Sequence, residues 1–72
     1  MTFIPNKRSL RIGDRVISKQ QLSIPSGTFT TNHKFTIVDI GTMAGIPVYH
    51  LKDDDGRCVN DVPGTHITLF EE

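Results

Sequence analysis

The sequence predicts a small all-β domain, and three observations predict it. No window of the 72 residues places apolar side chains at i, i+3, i+4 and i+7 over three turns, as an amphipathic helix requires. Four prolines and six glycines divide the chain into short segments whose apolar members are largely β-branched or aromatic, the composition of strands between turns. A chain of this length buries about 60% of its extended surface, enough for one core and not for two. A single domain is therefore expected over residues 10–72. A flexible N-terminal arm, residues 1–9, precedes it, because that stretch lacks periodicity and contains Pro5, with Phe3 and Ile4 available to pack on the domain.

The elements follow in order. Arg15-Val16-Ile17-Ser18, after Ile12-Gly13-Asp14, is a strand. Lys19 to Ser26 is expected to form a long loop pinned by Leu22 and Ile24. Gly27-Thr28-Phe29-Thr30 is β-rich, and the turn Thr31 to Lys34 has Asn32 as the residue best able to accept positive φ. Phe35 to Ile40 is the strongest strand, since all but Asp39 are β-branched or aromatic. Gly41 to Gly45 is expected to be a glycine-bounded loop, after which Ile46 to Lys52 resumes a strand packed through Val48, Tyr49 and Leu51. Asp53-Asp54-Asp55-Gly56 closes a hairpin, because Asp-Gly supplies the positive φ a tight turn demands. Cys58-Val59-Asn60 returns from it, Val62-Pro63-Gly64 bends the chain, and one helical turn is expected near Val62 to Thr65. His66 to Phe70 alternates, with Ile67 and Leu69 on one face. The expected core is Val16, Leu22, Phe29, Phe35, Ile37, Tyr49, Leu51, Val59, Ile67 and Leu69.

A long first loop, a short second one, a tight Asp-Gly hairpin and a one-turn bend before the last strand resemble the connectivity of an SH3-like barrel. The expectation is thus a small five-stranded SH3-like barrel, whose closure would remove the exposed edges that a short all-β chain with one cysteine must cover. Gly13-Asp14-Arg15-Val16, Ser26-Gly27-Thr28-Phe29, Lys34 to Val38, Tyr49-His50-Leu51 and Asp55-Gly56 also resemble small uncharacterised proteins of bacteriophages and prophages. The resemblance spans roughly residues 10 to 60. It implies a phage-encoded accessory protein and brings no settled activity with it.

Eight Lys+Arg balance eight Asp+Glu, for zero formal net charge. The overall basic excess from which a general nucleic-acid binder draws its affinity is missing. The charge is nevertheless bipolar along the chain. Residues 1–38 hold Lys7, Arg8, Arg11, Arg15, Lys19 and Lys34 against Asp14 alone, whereas residues 39–72 hold Lys52 and Arg57 against seven acids. Interleaving of the halves would turn these into ordinary solvated charges; segregation would create opposite faces that steer a partner or allow self-association.

The candidate chemistry is thin. An EF-hand with Gly56 at loop position 6 would need acids at positions 1 and 12, and those are Leu51 and Val62, so Asp53-Asp54-Asp55 is expected to be a solvated hairpin tip. Cys58, His33, His50 and His66 lack zinc-ligand spacing. Nucleophilic catalysis by Cys58 would need a base, an orienting group and an oxyanion hole in a pocket, which a domain this small seldom holds. No enzyme activity, metal or cofactor is expected. One tyrosine, no tryptophan and no acidic cluster in the first loop disfavour polyproline binding. A single cysteine, no signal-peptide apolar region and no long apolar run point to a cytoplasmic protein without a membrane span.

Two functions remain. The first is a protein-interaction module whose partner contacts come from the long loop (Gln20, Gln21, Leu22, Ile24) and the glycine-bounded loop (Thr42, Met43, Ala44), where Met43 between small residues is an adaptable contact. The alternative is a nucleic-acid-binding accessory that uses Lys7, Arg8, Arg11, Arg15 and Lys19, with Phe3 for stacking.

Overall fold

The computed structural model describes residues 2–3, 10–25 and 27–71. Eight strands run in chain order: β1 (Thr2–Phe3), β2 (Arg15–Ser18), β3 (Leu22–Ile24), β4 (Gly27–Phe29), β5 (Lys34–Met43), β6 (Ile46–Asp53), β7 (Cys58–Pro63) and β8 (Ile67–Glu71). A single 3-10 turn, Gly64–His66, joins the last two. Six strands make one antiparallel sheet in the order β1-β8-β2-β5-β6-β7, and β3 and β4 form a separate two-stranded hairpin. The chain is all-β. β1 and β7 lie at opposite ends of the strand order, and no ladder closes the sheet into a ring among the described residues. Among the described residues no helix is long and apolar enough to cross a membrane.

Register explains the core. Val16 stands opposite both Phe35 and Leu69, Ile37 opposite Leu51, and Leu51 opposite Val59, so alternate residues of five strands meet on one face. Leu22 and Phe29 face each other across the β3–β4 hairpin and cover that face. Nine of the ten expected core residues are buried; Tyr49 is half-buried and packs against the cluster, which also takes in Leu10 and Val62. The alternation of the last strand holds for Ile67 and Leu69, but Phe70 is buried as well. It belongs to the other face, where the Lys34 ammonium sits 5.0 Å from its ring centroid.

Four expectations change. Lys19 to Ser26 is not wholly loop, since Leu22-Ser23-Ile24 pairs with Gly27-Thr28-Phe29; three residues are too few to show a period. Gly41 is a strand residue opposite Val48, and β5 continues to Met43. An added Cβ at Gly41 would meet His50 Nε2 at 3.6 Å, an ordinary van der Waals contact, so the glycine sits within the strand and does not end it. β7 likewise continues through Val62 and Pro63, with Asp61 at φ 58° in its irregular stretch. Thr2 and Phe3 of the expected arm pair with Glu71 and Phe70 as an added edge strand; Ile4 to Ser9 lie outside the described residues. Asn32 takes φ 70°, as expected.

The turn between β5 and β6 is only Ala44-Gly45, flanked by the pair Met43 and Ile46. Both residues have positive φ, 51° and 79°, the conformation of a type I′ hairpin that favours Asn-Gly. Ala44 carries a Cβ in the left-handed region without the local hydrogen bonding that makes asparagine tolerable there. Ala44→Asn should therefore stabilise the chain by about 0.5–1 kcal/mol, raising the thermal midpoint by several degrees in a domain of this size. A midpoint that is unchanged or lower in a calorimetric scan would refute the turn assignment.

Candidate functional site

Asp53 is the first acid of the predicted hairpin tip, and the expectation that all three acids are solvated fails for it. It follows Leu51 at the strand period and stands opposite Phe35, so its side chain turns inward and is only 5% exposed. The backbone around it is a tight turn: Gly56 N–H donates to the Asp53 carbonyl at 3.1 Å, and Asp53 N–H donates to the Arg57 carbonyl at 2.8 Å. Gly56, at φ 86°, makes that closure possible. The carboxylate is then enclosed by donors. Oδ1 accepts from Asp55 N–H at 3.1 Å and Arg57 N–H at 2.7 Å; Oδ2 accepts from Arg57 Nε at 3.1 Å and His33 Nε2 at 3.1 Å and lies 3.0 Å from Arg57 Nη2. Burial pushes this carboxyl up, but the bonds from His33 and from the Arg57 backbone and side chain, with the guanidinium charge, outweigh it and hold the group below the usual carboxylate range.

The partners are themselves fixed. The Arg57 guanidinium lies over the Phe29 ring at 4.6 Å, and the rings of Phe29, His33 and Phe35 stand 5.0 Å apart in each pairing. Buried Ser18 donates its hydroxyl to the Thr30 carbonyl at 2.9 Å and accepts the His33 N–H at 3.1 Å. Next to this cluster, exposed Asp54 receives Arg15 through Nη1 at 2.9 Å and Nη2 at 3.3 Å, while Nη1 also donates to Thr36 Oγ1 at 2.8 Å. The Arg15 hydrogen bond and charge hold the Asp54 carboxyl below its usual range too.

A shallow cleft of about 270 Å³ lies above the network, lined by Asn32, His33, Lys34, Asp53, Asp54 and Asp55. The Asp–His pair at its floor has the composition of an acid–base dyad, but general-base chemistry needs a hydroxyl, thiol or water-bearing position within reach of the ring. The His33 ring bonds to Asp53 through Nε2, and its backbone bonds to Ser18 and Thr30. The dyad joins two turns. A second cleft, about 410 Å³, lies between Ser23-Ile24-Pro25 and Cys58-Val59-Asn60. Cys58 is exposed there, and no group of three or more His, Cys, Asp or Glu able to hold a metal is found among the described residues.

The exposed apolar residues are concentrated elsewhere. β2 pairs with β5 at Lys34 to Thr36, and the bonds of Gly13 and Asp14 to Ile37 are the last on that side among the described residues. Beyond them β5 and β6 overhang as a two-stranded hairpin. Ile12 (63% exposed), Val38 (43%), Ile40 (36%), Met43 (54%) and Ile46 (58%) all lie on this overhang or on the turn bonded to its base. Met43 and Ile46 share a face with Asp39 and His50, while Ile40 faces the same way as Tyr49. No lysine or arginine occurs from Val38 to Leu51.

The expected contact residues divide accordingly. Thr42, Met43 and Ala44 are exposed at the hairpin end, and Gln20 and Gln21 are exposed in the first loop. Leu22, at 7% exposure, is a core residue opposite Phe29 and has no surface to offer; Ile24 is half-buried against the core. The two loops do not make one surface. Ile24 lines a cleft with Cys58, which pairs with Lys52, whereas Met43 pairs with Ile46 six residues away along β6, roughly 20 Å at the rise of a strand. Sequence reasoning missed Ile12, Val38, Ile40 and Ile46 as surface residues; for Val38 and Ile40 the signal was the density of apolar residues from Phe35 to Ile40, interrupted by Thr36 and Asp39, which one buried face cannot absorb. Of the expected basic patch, Arg11 and Lys19 are exposed, Arg15 is committed to Asp54 and Thr36, and Lys7 and Arg8 lie outside the described residues.

No protein-family model, no curated protein and no solved structure matches the chain.

Because the folded pKa of Asp53 is depressed, its contribution to stability is complete above the unfolded value near ~3.9. It is lost as pH falls through the lower folded value. Unfolding free energy measured with urea should therefore be flat above about pH 5 and fall steeply below ~4, with a shallower acid limb in Asp53→Asn. Asp53→Ala, which strands the guanidinium and imidazole, should cost about 3–5 kcal/mol at neutral pH. Equal acid limbs in wild type and Asp53→Asn would show that Asp53 is not held ionised by this network.

Proposed function

We propose that this chain is a small non-catalytic accessory protein of the phage type that acts as a protein-interaction module, and that the overhanging β5–β6 hairpin with the Ile12 turn is its contact surface. The observation that carries this reading is the concentration at this end of the fold of all five large exposed hydrophobics among the described residues, with Met43 and Ile46 paired on one face of the hairpin and Ile40 on the other, since large apolar side chains left exposed together on a small folded domain mark an interaction site. Met43 supplies an adaptable side chain at the tip and Thr42 and Ala44 flank it. The SH3-like reading of the architecture draws support from the strand order β8-β2-β5-β6-β7, the β3–β4 hairpin inside the first long connection and the 3-10 turn before β8. A reducing, cytoplasmic setting suits an exposed free Cys58. The nucleic-acid alternative is weakened because Arg15 is spent on Asp54 and the chain has no net positive charge.

The test is capture of a partner by the immobilised chain from a bacterial lysate treated with nuclease. Met43→Asp with Ile46→Asp should reduce capture roughly tenfold or more, Arg11→Glu with Lys19→Glu should leave it unchanged, and added salt should weaken it little, because apolar contacts are not screened. Loss confined to the Arg11 and Lys19 variant, with sensitivity to nuclease, would replace this reading with nucleic-acid binding.

A further inference from the structure

The overhang leaves a strand edge as well as an apolar face. A two-residue turn makes Met43 and Ile46 a hydrogen-bonded pair. Alternation then directs the N–H and C=O groups of Met43, Gly41 and Asp39 toward β6 and those of Ile40 and Thr42 away from it. The other end of β5 gives the same result: Ile37 turns its N–H and C=O toward Asp14 and Gly13, and the irregularity between Ile37 and Asp39 resets the alternation so that Ile40 is the next residue to face outward. Between Val38 and Met43 this outward edge is unpaired among the described residues. One donor on it is nonetheless occupied, because Asp39 Oδ1 accepts the Ile40 N–H at 2.9 Å.

We propose that Asp39 guards this edge against a second copy of the chain. An edge carrying Ile40, Gly41 and Thr42 is self-complementary: about a two-fold axis through Gly41, Ile40 of one copy stands opposite Thr42 of the other, and each pair exchanges two hydrogen bonds. That register joins two overhanging hairpins into one four-stranded sheet and places Asp39 beside the other copy's Met43. The Asp39 carboxylate opposes the pairing twice. It takes the Ile40 N–H that the register needs, and it would be desolvated against an apolar side chain with no lysine or arginine from Val38 to Leu51 to receive it. The opposite edge of the sheet is blunted differently, by Pro63 and by Asp61 at positive φ within β7. On the β5 overhang the guard is one side chain. The inference rests on the backbone edge and is independent of what docks on the apolar face.

Sedimentation velocity on the full chain tests it. Wild type and Asp39→Asn, which keeps an acceptor oxygen next to Ile40, should both sediment as monomers. Asp39→Ala should dimerise at a concentration roughly tenfold or more below any wild-type self-association. Adding Thr42→Pro, which removes the other edge donor, should return the Asp39→Ala chain to monomer; should that proline unfold the hairpin by circular dichroism, Ile40→Lys in its place should do the same by charging the edge. The proposal fails if Asp39→Ala stays monomeric, or if its dimer survives both Thr42→Pro and Ile40→Lys. It also fails if wild type is already a dimer that Thr42→Pro dissociates, since the edge would then be in use with Asp39 present.

Discussion

The buried carboxylate of Asp53 is the constraint on which the rest of the arrangement depends. An isolated carboxylate in a protein interior is unfavourable by many times the net stability of a small domain, and here it is tolerated because two turns bring N–H donors to both oxygens. The geometry of those donors has consequences further out. Arg57 reaches Asp53 from above the Phe29 ring, and His33 packs against both Phe29 and Phe35. Phe29 belongs to the β3–β4 hairpin, which has no ladder to the main sheet. What seats that hairpin is the burial of Leu22 and Phe29 together with the guanidinium above Phe29. The electrostatic centre and the apolar core are therefore coupled through one ring.

The same network disposes of much of the charge asymmetry of the sequence. Arg15 and His33, from the basic half, meet Asp54 and Asp53 from the acidic half. Interleaving of the halves makes these contacts across the sheet possible, so sequence polarity is partly converted into internal pairing. The surface Arg15–Asp54 pair adds little stability by itself. Its importance lies in orientation: with both guanidinium nitrogens on Asp54 and one also on Thr36, Arg15 is held along β5 and is poorly placed to project toward a phosphate backbone.

How far the structure was legible depended on whether the deciding physics was local. Asn32, the Asp-Gly closure at Gly56 and nine core residues follow from φ preferences and from burial patterns within single segments. β3 did not, because a three-residue strand is defined by its partner and has no period of its own. Gly41 misled for a related reason. Glycine read alone signals a turn, whereas here it stands within a strand opposite Val48, a pairing that only the register specifies. Asp53 was legible in principle, since counting two residues from inward-facing Leu51 turns it inward. Three adjacent aspartates concealed that one of them continues the strand while the other two form the turn.

The overhanging hairpin stands in physical contrast to that centre. Burying a large aliphatic side chain contributes about 1.5–3 kcal/mol, and a short chain has few such contributions to spare, yet Met43, Ile46 and Ile12 remain more than half exposed. With more than half of their surface left in water, these side chains hold the fold far less than the core residues do. Their contribution to any contact is therefore separable from stability, unlike that of Leu22, where a single substitution would remove surface and core together. Separability has a structural origin in β2, which stops pairing at Arg15 while β5 runs on. Ending one strand early converts the continuation of its neighbour from core to surface without changing a residue of it. Position along the sheet, more than residue type, distinguishes the apolar side chains that fold this chain from those that are free to meet another molecule.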